Sequence, residues 1–115
     1  MPSGEQPPHI ELSAKLNRTR DRPDYDIFAG EQLVGRIYLL HVASKAESWW
    51  WGLNTVCLDS TVPGTMKGYT DSFEKARTSF RDAFDVWLAW AIALPVWDAK
   101  QREIGPQLKK IGVAV

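Results

Sequence analysis

His41 and Cys57 are the two side chains in this sequence whose types could together support nucleophilic catalysis. A histidine within hydrogen-bond reach can activate a thiol, and the thiol must also have a lowered pKa. The pattern places both residues on strands that could be neighbours, but each stands among apolar residues, where cysteine usually packs as a small hydrophobic side chain. The pair therefore favours a structural role, and we expect neither an enzyme nor a cofactor.

Acidic residues at helical spacing are the second candidate for chemistry. Asp82 with Asp85, and Asp71 with Glu74, would each share a helix face, but no histidine stands beside them. The sequence also lacks a glycine-rich phosphate loop, a GxSxG or HExxH motif, and any Cys/His spacing typical of a zinc site. We therefore interpret these carboxylates as solvating charges and expect no catalytic, cofactor-binding or metal-binding residue.

Three arginines, Arg18, Arg20 and Arg22, alternate in a polar loop with the sequence RTRDRPD. Such a row could contact phosphate groups. Aspartates at positions 21, 24 and 26 neutralise it, however, and favour a solvated turn. The solvated turn is the favoured interpretation, and phosphate binding is the alternative.

The composition describes one globular domain without a net electrostatic field. The chain has 115 residues, with 14 basic and 14 acidic side chains. A net charge of zero predicts no nucleic-acid partner and no anionic-membrane partner. The single cysteine cannot form an internal disulfide, and the first nine residues have neither the basic region nor the apolar core of a signal peptide. We therefore expect a cytoplasmic protein.

A long helix is the element that must organise the fold. Within residues 69–97, seven apolar residues recur at steps of three and four, which predicts one helix face. Asp71 and Glu74 have capping-box spacing at its start, and Pro95 marks its end. The seven residues are Phe73, Ala76, Phe80, Ala83, Trp87, Trp90 and Leu94.

Four segments before this helix have the alternating or apolar pattern of strands. They are residues 10–17, 25–29, 33–42 and 49–58, with Gly30-Glu31 as a tight turn between the second and the third. Residues 59–69 hold two glycines and a proline, which predicts a turn-rich connection. We therefore predict an α+β fold, in which a three- to four-stranded antiparallel sheet packs against one long C-terminal helix.

The predicted domain organisation is a single domain between two tails. Residues 1–9 are rich in Pro, Gly and polar groups, which predicts a disordered tail. Residues 96–104 are compatible with one or two further helical turns, ended by Gly105-Pro106. The domain accordingly covers residues 10–104, and residues 105–115 form a C-terminal tail that could lie free or add a strand.

The second half of the predicted helix should bind a partner. From Val86 to Trp97 the sequence carries no charge, but this segment is shorter than the about 20 apolar residues of a membrane span. The helix is also longer than an ordinary sheet is wide, so another element must cover its apolar end. A second copy related by a two-fold axis is the simplest cover.

We therefore predict a non-enzymatic interaction or structural protein that forms a homodimer. Another small protein is the alternative partner. Trp49 and Trp51 favour the core, while Trp50 could belong either to the core or to an interface. The predicted interface comprises Trp50, Val86, Leu88, Trp90, Ile92, Ala93 and Trp97.

Three segments of the chain resemble a family of short uncharacterised proteins from alphaproteobacteria. The segments are VGRIY (34–38), WWWGL (49–53) and GYTDSFEKARTSFRDAFDVWLAWA (68–91). The resemblance implies the same order of strands and helix. It implies no activity, cofactor or catalytic residue.

A second resemblance is to HicB-type antitoxins, in which a sheet ends in a Pro-Gly turn before a capped amphipathic helix. Pro63-Gly64, Gly68, Asp71, Glu74 and Ala76 stand in the corresponding order here. This chain differs in its longer first half and in lacking a recognisable DNA-binding segment after the helix. The resemblance implies an alternative function, that of an antitoxin-type protein that binds a small toxin.

Overall fold

The computed structural model describes residues 8–40 and 47–113 as a five-stranded antiparallel sheet with two helices on one face. The strands are β1 (Leu12–Leu16), β2 (Asp24–Ala29), β3 (Gln32–Leu39), β4 (Trp49–Leu53) and β5 (Lys67–Thr70), followed by α1 (Phe73–Ala93) and α2 (Gln101–Ile111). Each strand pairs with the one before it. The predicted α+β fold with an antiparallel sheet is confirmed, but there are five strands and two helices rather than three or four strands and one helix. His41 and residues 1–7 of the predicted tail lie outside the described residues.

The hairpin between β2 and β3 has the two-residue loop that the sequence predicts. Gly30 and Glu31 connect the paired residues Ala29 and Gln32. Gly30 has a φ of +58°, a backbone conformation that other residues rarely adopt. A glycine in this conformation at the first loop position suits the right-handed twist of the two strands.

A β-bulge in β3 changes the face of one residue. Ile27 pairs with Gly35 while Phe28 pairs with Leu33, so Val34 is an extra residue without a partner on β2. Val34 is fully buried in the core. Strict alternation along β3 would instead place Val34 on the opposite face of the sheet. The alternation rule fails at this residue because the sequence pattern does not reveal the bulge.

The segment 59–69, predicted to be a turn-rich connection, contains most of β5, a strand that the local sequence pattern does not predict. Its residues pair with β4 from Trp49 to Gly52. A strand of four residues, with a glycine at its second position and turn residues before it, has no clear period-two pattern. The neighbouring β4 ladder stabilises this strand more than its own local preference does.

The N-terminus of α1 is capped by Ser72. The Ser72 hydroxyl accepts a hydrogen bond of 3.1 Å from the backbone N–H of Lys75. The predicted capping box of Asp71 and Glu74 is wrong, because Asp71 precedes the cap and forms an ion pair with the Lys75 ammonium. Pro95 follows the end of the helix, as predicted.

The first half of α1 packs on the sheet, mainly on β4 and β5. The Phe73 ring contacts the rings of Tyr25 and Trp49, with centroids 4.9 and 5.2 Å away. Phe80 meets Trp51 edge-on, with centroids 6.5 Å apart. These contacts confirm the predicted core positions of Trp49 and Trp51.

The second half of α1 meets the segment that connects β4 to β5. The indole of the buried Trp87 donates a hydrogen bond of 2.9 Å to the carbonyl of Cys57. One turn later, the indole of Trp90 donates to the hydroxyl of Thr61 at 3.1 Å. Neither described helix is long and apolar enough to cross a membrane.

The chain beyond residue 104 is part of the fold, which corrects the predicted C-terminal tail. α2 continues through Gly105 and Pro106 to Ile111, although Pro106 has no N–H for a helical hydrogen bond. Three buried residues explain this, because burying each contributes about 1.5–3 kcal/mol. Together they outweigh the about 3 kcal/mol that an interior proline costs. The three residues are Ile104, Leu108 and Ile111.

Candidate functional site

The structure divides the predicted interface residues among different environments. Leu88 is fully buried in the core, so its assignment to the interface is wrong; it stands one turn after the buried Phe84, in line with the core face of α1. Trp90 is half-buried beside Thr61. Trp50 lies on the face of the sheet opposite the helices. The remaining four are exposed: Val86, Ile92, Ala93 and Trp97.

These four residues belong to an exposed surface at the end of α1, here named the apolar patch. The side chains of Val96 and Trp97 are 91% and 81% exposed, and they follow the helix directly. Ion pairs flank the patch along the chain, Arg81 with Asp85 before it and Lys100 with Asp98 after it. The patch comprises Val86, Ala89, Ile92, Ala93, Val96 and Trp97.

The face of the sheet opposite the helices, here named the outer face, carries two parallel rows of side chains. Tyr38, Trp50 and Tyr69 stand opposite one another on β3, β4 and β5 and form an aromatic row. Arg36 and Lys67 flank Gly52 in the next row. Rows two residues apart on a strand are about 7 Å apart.

The Trp50 indole lies at the centre of these two rows. A Cβ placed on Gly52 would lie 2.4 Å from the six-membered ring of Trp50, so the ring occupies the space that the missing side chain leaves. Tyr38 stacks on the same indole, with centroids 5.1 Å apart and planes inclined by 29°. Trp50 is thus packed on one side and half-exposed on the other, which explains why the sequence left its environment open.

An ion pair anchors the outer face beside the aromatic row. The carboxylate of Asp24 is fully buried and accepts hydrogen bonds from two nitrogens of the Arg36 guanidinium, the longer of them 2.9 Å. The hydrogen bond to Asp24 raises the pKa of Arg36 above its ordinary value. Arg20 lies 3.4 Å from Asp24 and 3.7 Å from Asp26.

The arginine row of the first loop therefore has two functions in the fold, and the solvated-turn interpretation is incomplete. Arg20 is bound by the aspartates of β2. The guanidinium of Arg22 lies over the Tyr38 ring, 4.6 Å from its centroid, and that of Arg36 lies 4.4 Å from the same centroid. The spacing of the arginines was visible in the sequence, but their position beside the aromatic row depends on strand register.

Cys57 lies in the core beside α2. Its backbone N–H donates a hydrogen bond of 3.0 Å to the side-chain carbonyl of Gln107. Burial raises the pKa of the Cys57 thiol, and Glu103 raises it further. A reactive thiol needs the opposite shift. In the described part of the chain, no group of three or more His, Cys, Asp or Glu residues could hold a metal ion.

A cleft of about 650 Å³ lies between β1, β2 and the first half of α1. It exists because α1 packs mainly on β4 and β5 and leaves the other edge of the sheet less covered. Two arginines line the cleft, and both have partners. Arg77 binds Glu74, and Arg81 donates to the carbonyl of Ile10 and binds Asp85. Neither arginine of the cleft is therefore without a partner among the described residues.

No family model, no curated protein and no solved structure matches this chain. The two resemblances, to the alphaproteobacterial family and to HicB-type antitoxins, stay hypotheses. Among the described residues, the apolar patch and the outer face carry the exposed aromatic side chains, Trp97 in the apolar patch and Tyr69 on the outer face.

Proposed function

We propose that this protein is a non-enzymatic interaction protein that self-associates as a homodimer through the apolar patch. The observation that supports this function is the exposure of Val96 and Trp97, 91% and 81%, at the end of a segment without charge. A tryptophan contributes a large contact area at low entropic cost, and contiguous exposed apolar surface on soluble proteins commonly marks a binding site.

A second copy of the chain is the occupant that best fits the patch. The patch contains no charged residue, so it offers no electrostatic feature by which a different, charged partner would be selected. The charges at its two borders already neutralise each other in the pairs Arg81–Asp85 and Lys100–Asp98. A two-fold axis brings identical apolar surfaces together within such a polar border.

Sedimentation equilibrium or light scattering at micromolar concentration tests this function. We expect a dimer of the 13.0 kDa chain. Ile92→Glu places a charge in the patch and should give a folded monomer. Leu16→Glu is the matched control, because Leu16 is exposed to a similar extent, 44% against 41%, but lies on β1. A wild-type protein that is monomeric under these conditions would contradict the proposal.

The antitoxin-like alternative differs in its partner, which would be a small toxin protein. Purification from the native host distinguishes the two functions. A small protein that co-purifies in equal amount, and that is lost from Ile92→Glu but not from Leu16→Glu, would replace the second copy as the occupant of the patch.

A further inference from the structure

The outer face of the sheet has a composition that self-association through α1 does not explain. The aromatic row of Tyr38, Trp50 and Tyr69 crosses three strands, and the Tyr69 side chain is 68% exposed. Cationic side chains border this row on several sides. The buried residues of both helices belong to the core on the other face, so neither helix lies over the row.

The charge on this face is uneven although the net charge of the chain is zero. Two acidic residues lie here, Asp24 and Asp26, and both bind arginines. At the end of the row near Tyr69, two further carboxylates have partners: Asp71 is paired with Lys75, and Glu47 accepts a hydrogen bond of 2.9 Å from the Trp49 indole. Five basic side chains reach the face: Lys15, Arg20, Arg22, Arg36 and Lys67.

Lys15, Arg22 and Lys67 therefore remain without a carboxylate partner among the described residues of this face. Like charges disfavour a second copy packed against it, face to face. The carboxylates of an acidic peptide could form ion pairs with these cations, but such a peptide has no planar groups that would stack on the aromatic row. Single-stranded nucleic acid presents both a chain of phosphates and unstacked bases, which aromatic side chains and cations bind in combination.

We propose that the outer face binds single-stranded nucleic acid, with bases stacked on Trp50 and Tyr69 and the phosphates beside Lys15, Arg22 and Lys67. The Tyr38 ring is already in contact with the guanidiniums of Arg22 and Arg36, so it supports the indole and is not itself the stacking surface. This inference departs from the expectation that the zero net charge gives, because a net charge does not report how charges are distributed.

Fluorescence anisotropy with labelled oligonucleotides of about 12 nucleotides tests the proposal. The oligonucleotide probes are single-stranded oligo-U RNA, single-stranded oligo-dU DNA and a mixed-sequence DNA duplex. Labelled heparin, a polyanion without bases, is the fourth probe. We expect both single strands to bind more tightly than the duplex and heparin. With about three phosphate contacts, their affinity should fall about 20-fold between about 50 and 200 mM salt.

Two exposed residues allow the surface to be changed without disturbing the core. Tyr69→Ala should weaken single-strand binding by about tenfold or more, and Tyr69→Phe, which keeps the ring, should bind like the wild type. Lys67→Glu should also weaken binding, whereas Lys109→Glu, the same charge change on the exposed surface of α2, should not. Circular dichroism verifies that each variant is folded.

Three outcomes would overturn the proposal: no binding to either single strand, equal binding to heparin, or an unchanged affinity in Tyr69→Ala. Binding of an acidic peptide in preference to the oligonucleotides would also overturn it. A preference for the RNA or the DNA form identifies which of the two the site selects. Ile92→Glu should bind like the wild type, so failure of the dimer and failure of nucleic-acid binding are distinguishable.

Discussion

The indole of Trp50 lies over Gly52, where a Cβ would stand 2.4 Å from one of its ring carbons. The absence of a side chain at Gly52 therefore leaves room for the indole of Trp50, which stands two residues earlier on the same strand. A second close approach involves Gly35 on the neighbouring strand β3. A Cβ on Gly35 would lie 2.1 Å from the Gly52 carbonyl oxygen and 2.7 Å from the Phe80 ring. The two glycines differ in what an added methyl group would meet.

Gly35→Ala should destabilise the protein more than Gly52→Ala. A methyl group on Gly35 meets backbone and a fully buried ring, neither of which can move freely, and overpacking of this kind costs about 1–3 kcal/mol. A methyl group on Gly52 meets a half-exposed indole, which can swing outward. Urea unfolding of the two variants measures the difference, and an equal loss would contradict it.

Asp24 should contribute to stability far more than an exposed carboxylate does. Asp24→Ala leaves the Arg36 guanidinium without its partner, and breaking a buried pair typically costs about 3–5 kcal/mol. Because the Arg36 side chain is 28% exposed, we expect a loss at the lower end of this range. Asp71→Ala is the control, because Asp71 and Lys75 are both about two-thirds exposed and should contribute little. Equal losses in the two variants would contradict the anchoring role of Asp24.

Cys57 should react slowly with an alkylating reagent while the protein is folded, because burial raises the pKa of its thiol. In the folded state the thiol then keeps its proton at a pH where the unfolded chain loses it. The free energy of unfolding should therefore fall as pH rises above the ordinary value of 9.0, and should not change through this group at neutral pH. Rapid alkylation of the folded protein at neutral pH would contradict this prediction.

The period-two and helical patterns predicted those strands and the helix whose apolar residues recur at a regular spacing in the sequence. The burial of Trp49, Trp51 and Phe80 could be predicted from the sequence. Alternation places the two tryptophans on one face of β4, and helical spacing places Phe80 on the apolar face of α1, the faces that pack in the core. The environment of Trp50 does not follow, since both faces of β4 are apolar. Strand register decides it, by bringing Tyr38 and Tyr69 to either side of the indole.

The interface prediction was wrong at Leu88 for a related reason. A segment without charged residues indicates that its side chains are buried. It does not show whether the same chain or a partner buries each of them. Here part of the cover comes from the same chain, because the segment after β4 lies against Trp87 and Trp90. α2 adds buried residues to the same core. Local patterns do not reveal contacts between distant segments.

In α2, packing of buried side chains overrides the helix-stop signal Gly105-Pro106. Leu108 is 2% exposed and belongs to the core. Leu108→Ala should therefore cost about 2–5 kcal/mol, whereas a free tail would show no loss. Lys109→Ala, one position further on the exposed side of α2, is the matched control and should leave stability nearly unchanged.

The junction between α2 and the β2–β3 hairpin gives this experiment a second measurement. The backbone N–H of Glu31 donates a hydrogen bond of 3.0 Å to the carbonyl of Lys110, and a Cβ on Gly30 would lie 2.7 Å from the same oxygen. Loosening α2 should therefore also expose the Glu31 amide. Hydrogen exchange at Glu31 should be faster in Leu108→Ala than in Lys109→Ala. Equal protection of the Glu31 amide in the two variants would show that α2 does not hold the hairpin.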